Sequence, residues 1–192
     1  MRRVDEIIIH CTATRAEWWS TRTVKQKTAE VRKWHVEDRG WSDIGYHFLI
    51  DRDGKVATGR PIDRDGAHVR GHNKGTIGIA LFGGHGGNED DTFDDHFTPA
   101  QDAALRKMIA HLKDSYPTIS KITGHHEYSA KACPCFRVTP WLEKGVHARG
   151  KPVSRAKPQI TIRVPSRRDK AVGTAVPLGL FVLLAAWIGD IL

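Results

Sequence analysis

Two widely separated segments concentrate the side chains of this sequence best suited to chemistry. IIIHCTAT carries His10 and Cys11, and ITGHHEYSAKACPCF carries His125, His126, Cys133 and Cys135. Imidazole nitrogen and thiolate sulfur are donors that zinc favours, and a catalytic zinc takes three protein ligands so that its fourth position is left to water. Each segment alone is a weak signal, because a single histidine beside an apolar strand is more often simply packed or solvated. The three cysteines form an odd count, unlike the paired framework of a small secreted domain, and favour a reduced compartment or a metal role.

The elements that must hold these residues follow from local pattern. Ile7, Ile8 and Ile9 form a β-branched run that reads as a buried strand ending at His10, with a polar loop over residues 12–21. Residues 24–39 are helical in composition, with Val31, Trp34 and His35 at helical spacing before Gly40. Residues 46–50 read as a strand, DRDG at 51–54 as a turn, and residues 55–58 as the returning strand of a hairpin. A further strand spans 76–82 and enters GGHGGNEDD, which has no periodicity and reads as a mobile surface loop. Thr98, Pro99 and Gln101 supply a cap, a first-turn proline and a capping-box partner to a helix whose apolar face is Leu105, Met108, Ile109, Leu112 and Tyr116. Residues 119–124 read as a strand delivering His125 and His126, and 140–144 as a short helical turn. Strands alternating with helices imply an α/β domain with a mixed sheet.

Charge is unevenly spread along the 192 residues. Residues 149–192 carry eight Lys or Arg against two acids, so six of the eight net positive charges lie there and the first 148 residues are close to neutral. That split argues against a specific nucleic-acid partner and leaves the tail to account for attraction to a membrane surface or polyanion. Pro152, Pro158 and Pro165 among basic residues describe a linker over 149–170. Residues 171–192 read as a transmembrane or membrane-associated helix, because 171–189 carry no charge and would span about 28 Å as a helix against a hydrocarbon core of about 30 Å. Pro177, Gly173 and Gly179 count against one straight spanning helix. The N-terminus lacks the apolar core of a secretory signal. The expected organisation is thus a domain at 1–148, a linker and an apolar helix.

Five motifs in order, IIIHCTAT, WSDIGYHFLIDRDGKV, GHNKGTIGIALFGG, FTPAQ and HHEYSAKACPCF, resemble the phage-type zinc N-acetylmuramoyl-L-alanine amidases related to peptidoglycan recognition proteins. The resemblance covers about residues 4–145. It implies a central mixed β-sheet flanked by helices and zinc in a surface cleft. It also implies hydrolysis of the amide between N-acetylmuramic acid and L-alanine in bacterial peptidoglycan, in the setting of host lysis.

Carried over residue by residue, the resemblance makes His10, His125 and Cys133 the zinc ligands, Tyr46 and Lys131 the catalytic pair, and His68 a cleft residue toward the substrate. Strand alternation turns Cys11 to the opposite face from His10, into the core, and turns His126 away from His125. Cys135 is then a spare thiol. Two imidazoles and one thiolate leave a zinc site of net charge +1, able to polarise water and a carbonyl oxygen. A Lys ammonium and a Tyr hydroxyl suit the developing oxyanion and the leaving amine. The chain departs from the family pattern at Arg137, in CPCFR, and in the whole C-terminal tail. The basic flank of the apolar segment, Arg167, Arg168 and Lys170, would keep the amidase domain in the host cytoplasm at the inner membrane until the membrane is breached. A peptidoglycan-binding module without turnover and a bacterial wall-recycling amidase are the alternatives. A closed structural zinc site would want a fourth ligand.

Overall fold

The computed structural model describes residues 2–147. The basic linker expected over 149–170 and the apolar helix expected over 171–192 lie outside the described residues. Among those described, no helix is long and apolar enough to cross a membrane.

The chain runs through β1 (Glu6–Cys11), α1 (Val24–Lys33), β2 (Phe48–Ile50), β3 (Val56–Thr58), β4 (Thr76–Leu81), α2 (Phe93–His96), α3 (Pro99–Ser115), β5 (Lys121–Gly124) and α4 (Val138–His147). The five strands form one sheet in the order β3-β2-β4-β1-β5. β1 pairs parallel with both β4 and β5, β2 pairs parallel with β4, and only the β2/β3 hairpin is antiparallel. This is the mixed sheet flanked by helices that the sequence implies.

The IIIH run lacks polar alternation because β1 lies inside the sheet with both faces covered. Ile7, Ile9 and Cys11 join the cluster that includes Leu105, Met108, Ile109 and Leu112 of α3 and Trp141 of α4. On the other face Val24 and Val31 of α1 pack with Leu49, Ala80 and Phe82. His10, opposite Ala80 in the register, alternates onto this second face.

The caps behave as their residue types require. Thr98 accepts the Gln101 backbone N–H, and the Gln101 side chain accepts from the Thr98 backbone. The same buried amide donates to the carbonyls of Ile50 and Phe82, tying α3 to the ends of two strands. Thr23 and Gln26 form the corresponding box at the start of α1.

Several boundaries differ from the sequence expectation. The first helix does not run uniformly to residue 39. After Lys33 it widens into a π-helical turn, Trp34–Asp38, which carries a buried His35 whose Nδ1 accepts the Gly45 N–H at 3.1 Å. β2 begins at Phe48 rather than at 46, so Tyr46 stands on the approach to the strand. The short helical turn expected at 140–144 is a ten-residue helix, anchored by Val138 and Trp141 in the core. Arg137, itself half-exposed, forms surface ion pairs with Glu89 at 2.8 Å and Asp90 at 2.9 Å of the acidic loop.

Candidate metal centre

The parallel pairing of β1 with β5 ends at Ile9 opposite Gly124, so the next residue of each strand, His10 and His125, emerges at the same place. Carboxyl ends of neighbouring parallel strands are a common place for sites, since there the chain leaves the sheet. His10 is fully buried. His125 opens a 3₁₀ turn, His125–Glu127. That turn, rather than strand alternation, swings His126 away, and its Nδ1 lies 3.3 Å from the Cys133 carbonyl oxygen.

The chain then returns to bring Cys133 up to the two histidines. The backbone N–H of His126 donates to the Cys133 carbonyl at 2.7 Å, and the N–H of Cys11 is directed at the Cys133 sulfur at 3.2 Å. His10 Nδ1 lies 3.2 Å from His125 Nδ1 and 3.8 Å from Cys133 Sγ, and the three donor atoms all fall within 4.8 Å of one another. Tetrahedral bonds of about 2.0–2.1 Å to nitrogen and about 2.3 Å to sulfur separate two nitrogens by about 3.3 Å and nitrogen from sulfur by about 3.6 Å. The two separations from His10 are thus close to those around one zinc ion, and His10, His125 and Cys133 together could hold a metal ion.

The protonation states suit metal binding, which needs neutral imidazole. Burial holds His10 well below the ordinary histidine range, with His68, His125 and Lys131 adding to the effect. Burial, and then Lys131, bring His125 down to about 4. The other two cysteines stay thiols. The Cys11 thiol is pushed up to about 12, chiefly by the neighbouring Cys133 sulfur and then by its burial, and its side chain lies in the core as expected. Cys135 adopts a left-handed φ of 71°, sits 3.7 Å from the Cys11 sulfur and donates to the Gly84 carbonyl. Its thiol is likewise raised, by the contact with Cys11 and by burial.

Tyr46 places its ring 5.2 Å from that of His10 and 5.4 Å from that of His35, and burial raises its phenol above the ordinary value. Lys131 is exposed. It lines a cleft of about 410 Å³ together with His125, Trp41, Arg70, Tyr128 and His68. His68 is 7% exposed, and both its ring nitrogens have protein partners: Nδ1 is 3.1 Å from His10 Nε2 and Nε2 is 3.3 Å from Thr76 Oγ1. Sequence reasoning missed Thr76, and the glycines Gly66 and Gly78 that flank the His68 ring. A glycine inside the strand pattern TIGIAL was the available signal, since such a residue marks close approach of a neighbour.

Residues 1–136 match the family model described as N-acetylmuramoyl-L-alanine amidase. The chain is 41% identical over 145 residues to the endolysin of Klebsiella phage KP32, covering 74% of this chain and 88% of that protein. It is 40% identical over 140 residues to the endolysin of Escherichia phage T7, covering 73% and 86%. Among solved structures it resembles the N-acetylmuramoyl-L-alanine amidase LysC from Clostridium intestinale, with a TM-score of 0.59, 28% identity and coverage of 76% and 87%. Wild-type PGRP-LB of Drosophila superposes with a TM-score of 0.61 at 25% identity, covering 77% and 84%.

Proposed function

Since the chain belongs to the N-acetylmuramoyl-L-alanine amidase family, we propose that it cleaves the muramoyl-L-alanine amide of bacterial peptidoglycan with one zinc ion held by His10, His125 and Cys133. Peptidoglycan hydrolysis as an endolysin follows from family membership and the phage relatives. The convergence of two imidazole nitrogens and one sulfur at zinc-like distances, beside a cleft bearing Lys131, carries the assignment of the centre.

Bound zinc would supply Lewis acidity toward water and the scissile carbonyl oxygen. The side chains supply the rest. Tyr46, its phenol kept protonated by burial, donates to the oxyanion that develops on the lactyl carbonyl. Lys131 brings a full positive charge to the same region and can pass a proton to the departing amine of L-alanine. Trp41 and Tyr128 offer flat apolar faces to sugar rings, and Arg70 a cation to a stem-peptide carboxylate. The role of the charge-free segment 171–189 is contact with the host inner membrane, supported by its composition and length; the enzyme would act on the wall once that membrane is breached.

Incubating the full chain with peptidoglycan, with and without a chelator, and identifying the new ends tests this reading. New L-alanine amino termini, lost with chelator and restored by zinc, are expected. Binding to the wall with no new ends would leave only a recognition module.

A further inference from the structure

We infer that His68 and Thr76 form a buried hydrogen-bond relay that holds His10 in the Nε2–H tautomer and leaves its Nδ1 bare toward His125 and Cys133. The relay builds on the zinc reading above and assigns a positioning role to two residues outside the ligand set.

The direction of the relay is set at its far end. Thr76 Oγ1 lies 3.0 Å from the carbonyl oxygens of both His72 and Asn73. Carbonyls only accept, so the single hydroxyl hydrogen must go to them. Were it turned toward His68 instead, the hydroxyl lone pairs would face two carbonyl oxygens at that distance. The hydroxyl oxygen is thus an acceptor for His68, 3.3 Å from its Nε2, which must carry the proton. Both His68 and His10 are buried and neither hydrogen-bonds a carboxylate among the described residues, so each is neutral with one N–H. His68 Nδ1 is then bare and accepts from His10 Nε2–H at 3.1 Å. His10 Nδ1 in turn has no proton, and it is the atom that lies 3.2 Å from His125 Nδ1 and 3.8 Å from the Cys133 sulfur.

The chain shapes a slot for this relay. A Cβ placed on Gly66 would meet His68 Cδ2 at 2.3 Å, and one placed on Gly78 would meet the same atom at 2.5 Å. Two glycines on opposite stretches of chain therefore let the imidazole lie between them. Thr76 and Gly78 are both on β4, whose register against β1 also fixes His10 opposite Ala80, so the strand pairing that places the ligand also places its support. A metal-bound histidine whose other nitrogen donates to a fixed acceptor is oriented and made more basic, and loss of such a partner typically lowers metal affinity about 10- to 100-fold.

Two measurements on the full chain test the relay. In metal-free protein labelled with ¹⁵N in its imidazoles, two-bond ¹H–¹⁵N spectra should show His10 and His68 both as Nε2–H tautomers. An Nδ1–H tautomer at either residue overturns the relay. Zinc affinity, read by competition with a chromophoric chelator, should fall about 10-fold or more in Thr76→Val and in His68→Leu. It should return in Thr76→Ser, and in His68→Asn, whose amide oxygen can stand near Nδ1 as an acceptor. Gly78→Ala should lower affinity without changing any polar atom, by displacing the ring. Wild-type affinity in Thr76→Val would refute the positioning role. Should the wild-type chain take up no zinc, the metal reading fails while the tautomer spectra still decide the relay.

Discussion

Tyr46→Phe separates chemistry from structure in this site. The ring keeps its packing in the variant, 5.2 Å from His10 and 5.4 Å from His35, so only the hydroxyl is lost. That hydroxyl forms no hydrogen bond with protein among the described residues, and removing it orphans no partner. The expected stability change is therefore under about 1 kcal/mol. The expected catalytic change is larger: removal of one oxyanion donor costs about 2.7–4 kcal/mol of transition-state stabilisation, or about 100- to 1,000-fold in kcat. Zinc content should be unchanged, since Tyr46 is not among the three donors. The assay is release of L-alanine amino groups from purified peptidoglycan, run beside metal analysis and thermal denaturation of the same preparation. Turnover equal to the parent, with zinc retained, would refute the donor role of the phenol. A fall in rate accompanied by lost zinc would refute it as well, because the effect would then pass through the ligands.

Lys131→Ala should behave similarly, with metal and fold retained and rate reduced about 100-fold or more, checked by the same pair of assays. His10→Ala and Cys133→Ala should each lose both bound zinc and activity, and stoichiometric zinc in either variant would remove that residue from the ligand set. Asp51→Ala breaks a buried ion pair with Lys27, 2.7 Å long with both side chains under 10% exposed, and should destabilise the fold by about 3–5 kcal/mol, read as a lower denaturant midpoint. Metal-free protein should lose stability as pH falls from about 6.5 toward 4. Burial holds His35 and His47 at about 4 in the fold, so between those values the unfolded chain binds more protons than the folded one, and the contribution is fully present above 6.5. Equal denaturant midpoints at pH 7.5 and pH 5 would contradict this. Ending the chain at residue 170 should move the protein from the membrane fraction to the soluble fraction of expressing cells, and equal partition would sink the proposed role of the apolar segment.

Much of this architecture was legible in local pattern. A β-branched run with no polar alternation is a strand covered on both faces, and Ile7, Ile8 and Ile9 are fully buried on a strand that lies inside the sheet between β4 and β5. Thr98, Pro99 and Gln101 marked the start of α3 because the capping groups lie within one turn of one another in sequence. Pattern was less informative where local geometry changes within an element. The widening of the first helix at Trp34–Asp38 alters no apolar spacing that would announce it, and the 3₁₀ turn at His125–Glu127 replaces the strand geometry that a strand-end reading supposes.

For the site, residue type pointed to the two segments rich in His and Cys, because donor chemistry is a property of the side chain alone, and the family resemblance nominated His10, His125, Cys133, Tyr46 and Lys131 within the chain. Only the tertiary structure decided distance. The two histidines are 115 positions apart, and they meet at 3.2 Å because β5 pairs parallel with β1 in the register that sets Gly124 against Ile9. Register likewise decided what His68 does. The family resemblance placed it near the cleft, but its ring nitrogens reach His10 and Thr76 because Gly66 and Gly78 clear a slot for the ring. Sequence pattern records which face of an element a residue occupies, through periods of two and 3.6 residues. It does not record which element lies next to it, and hydrogen-bond partners are chosen by that neighbour.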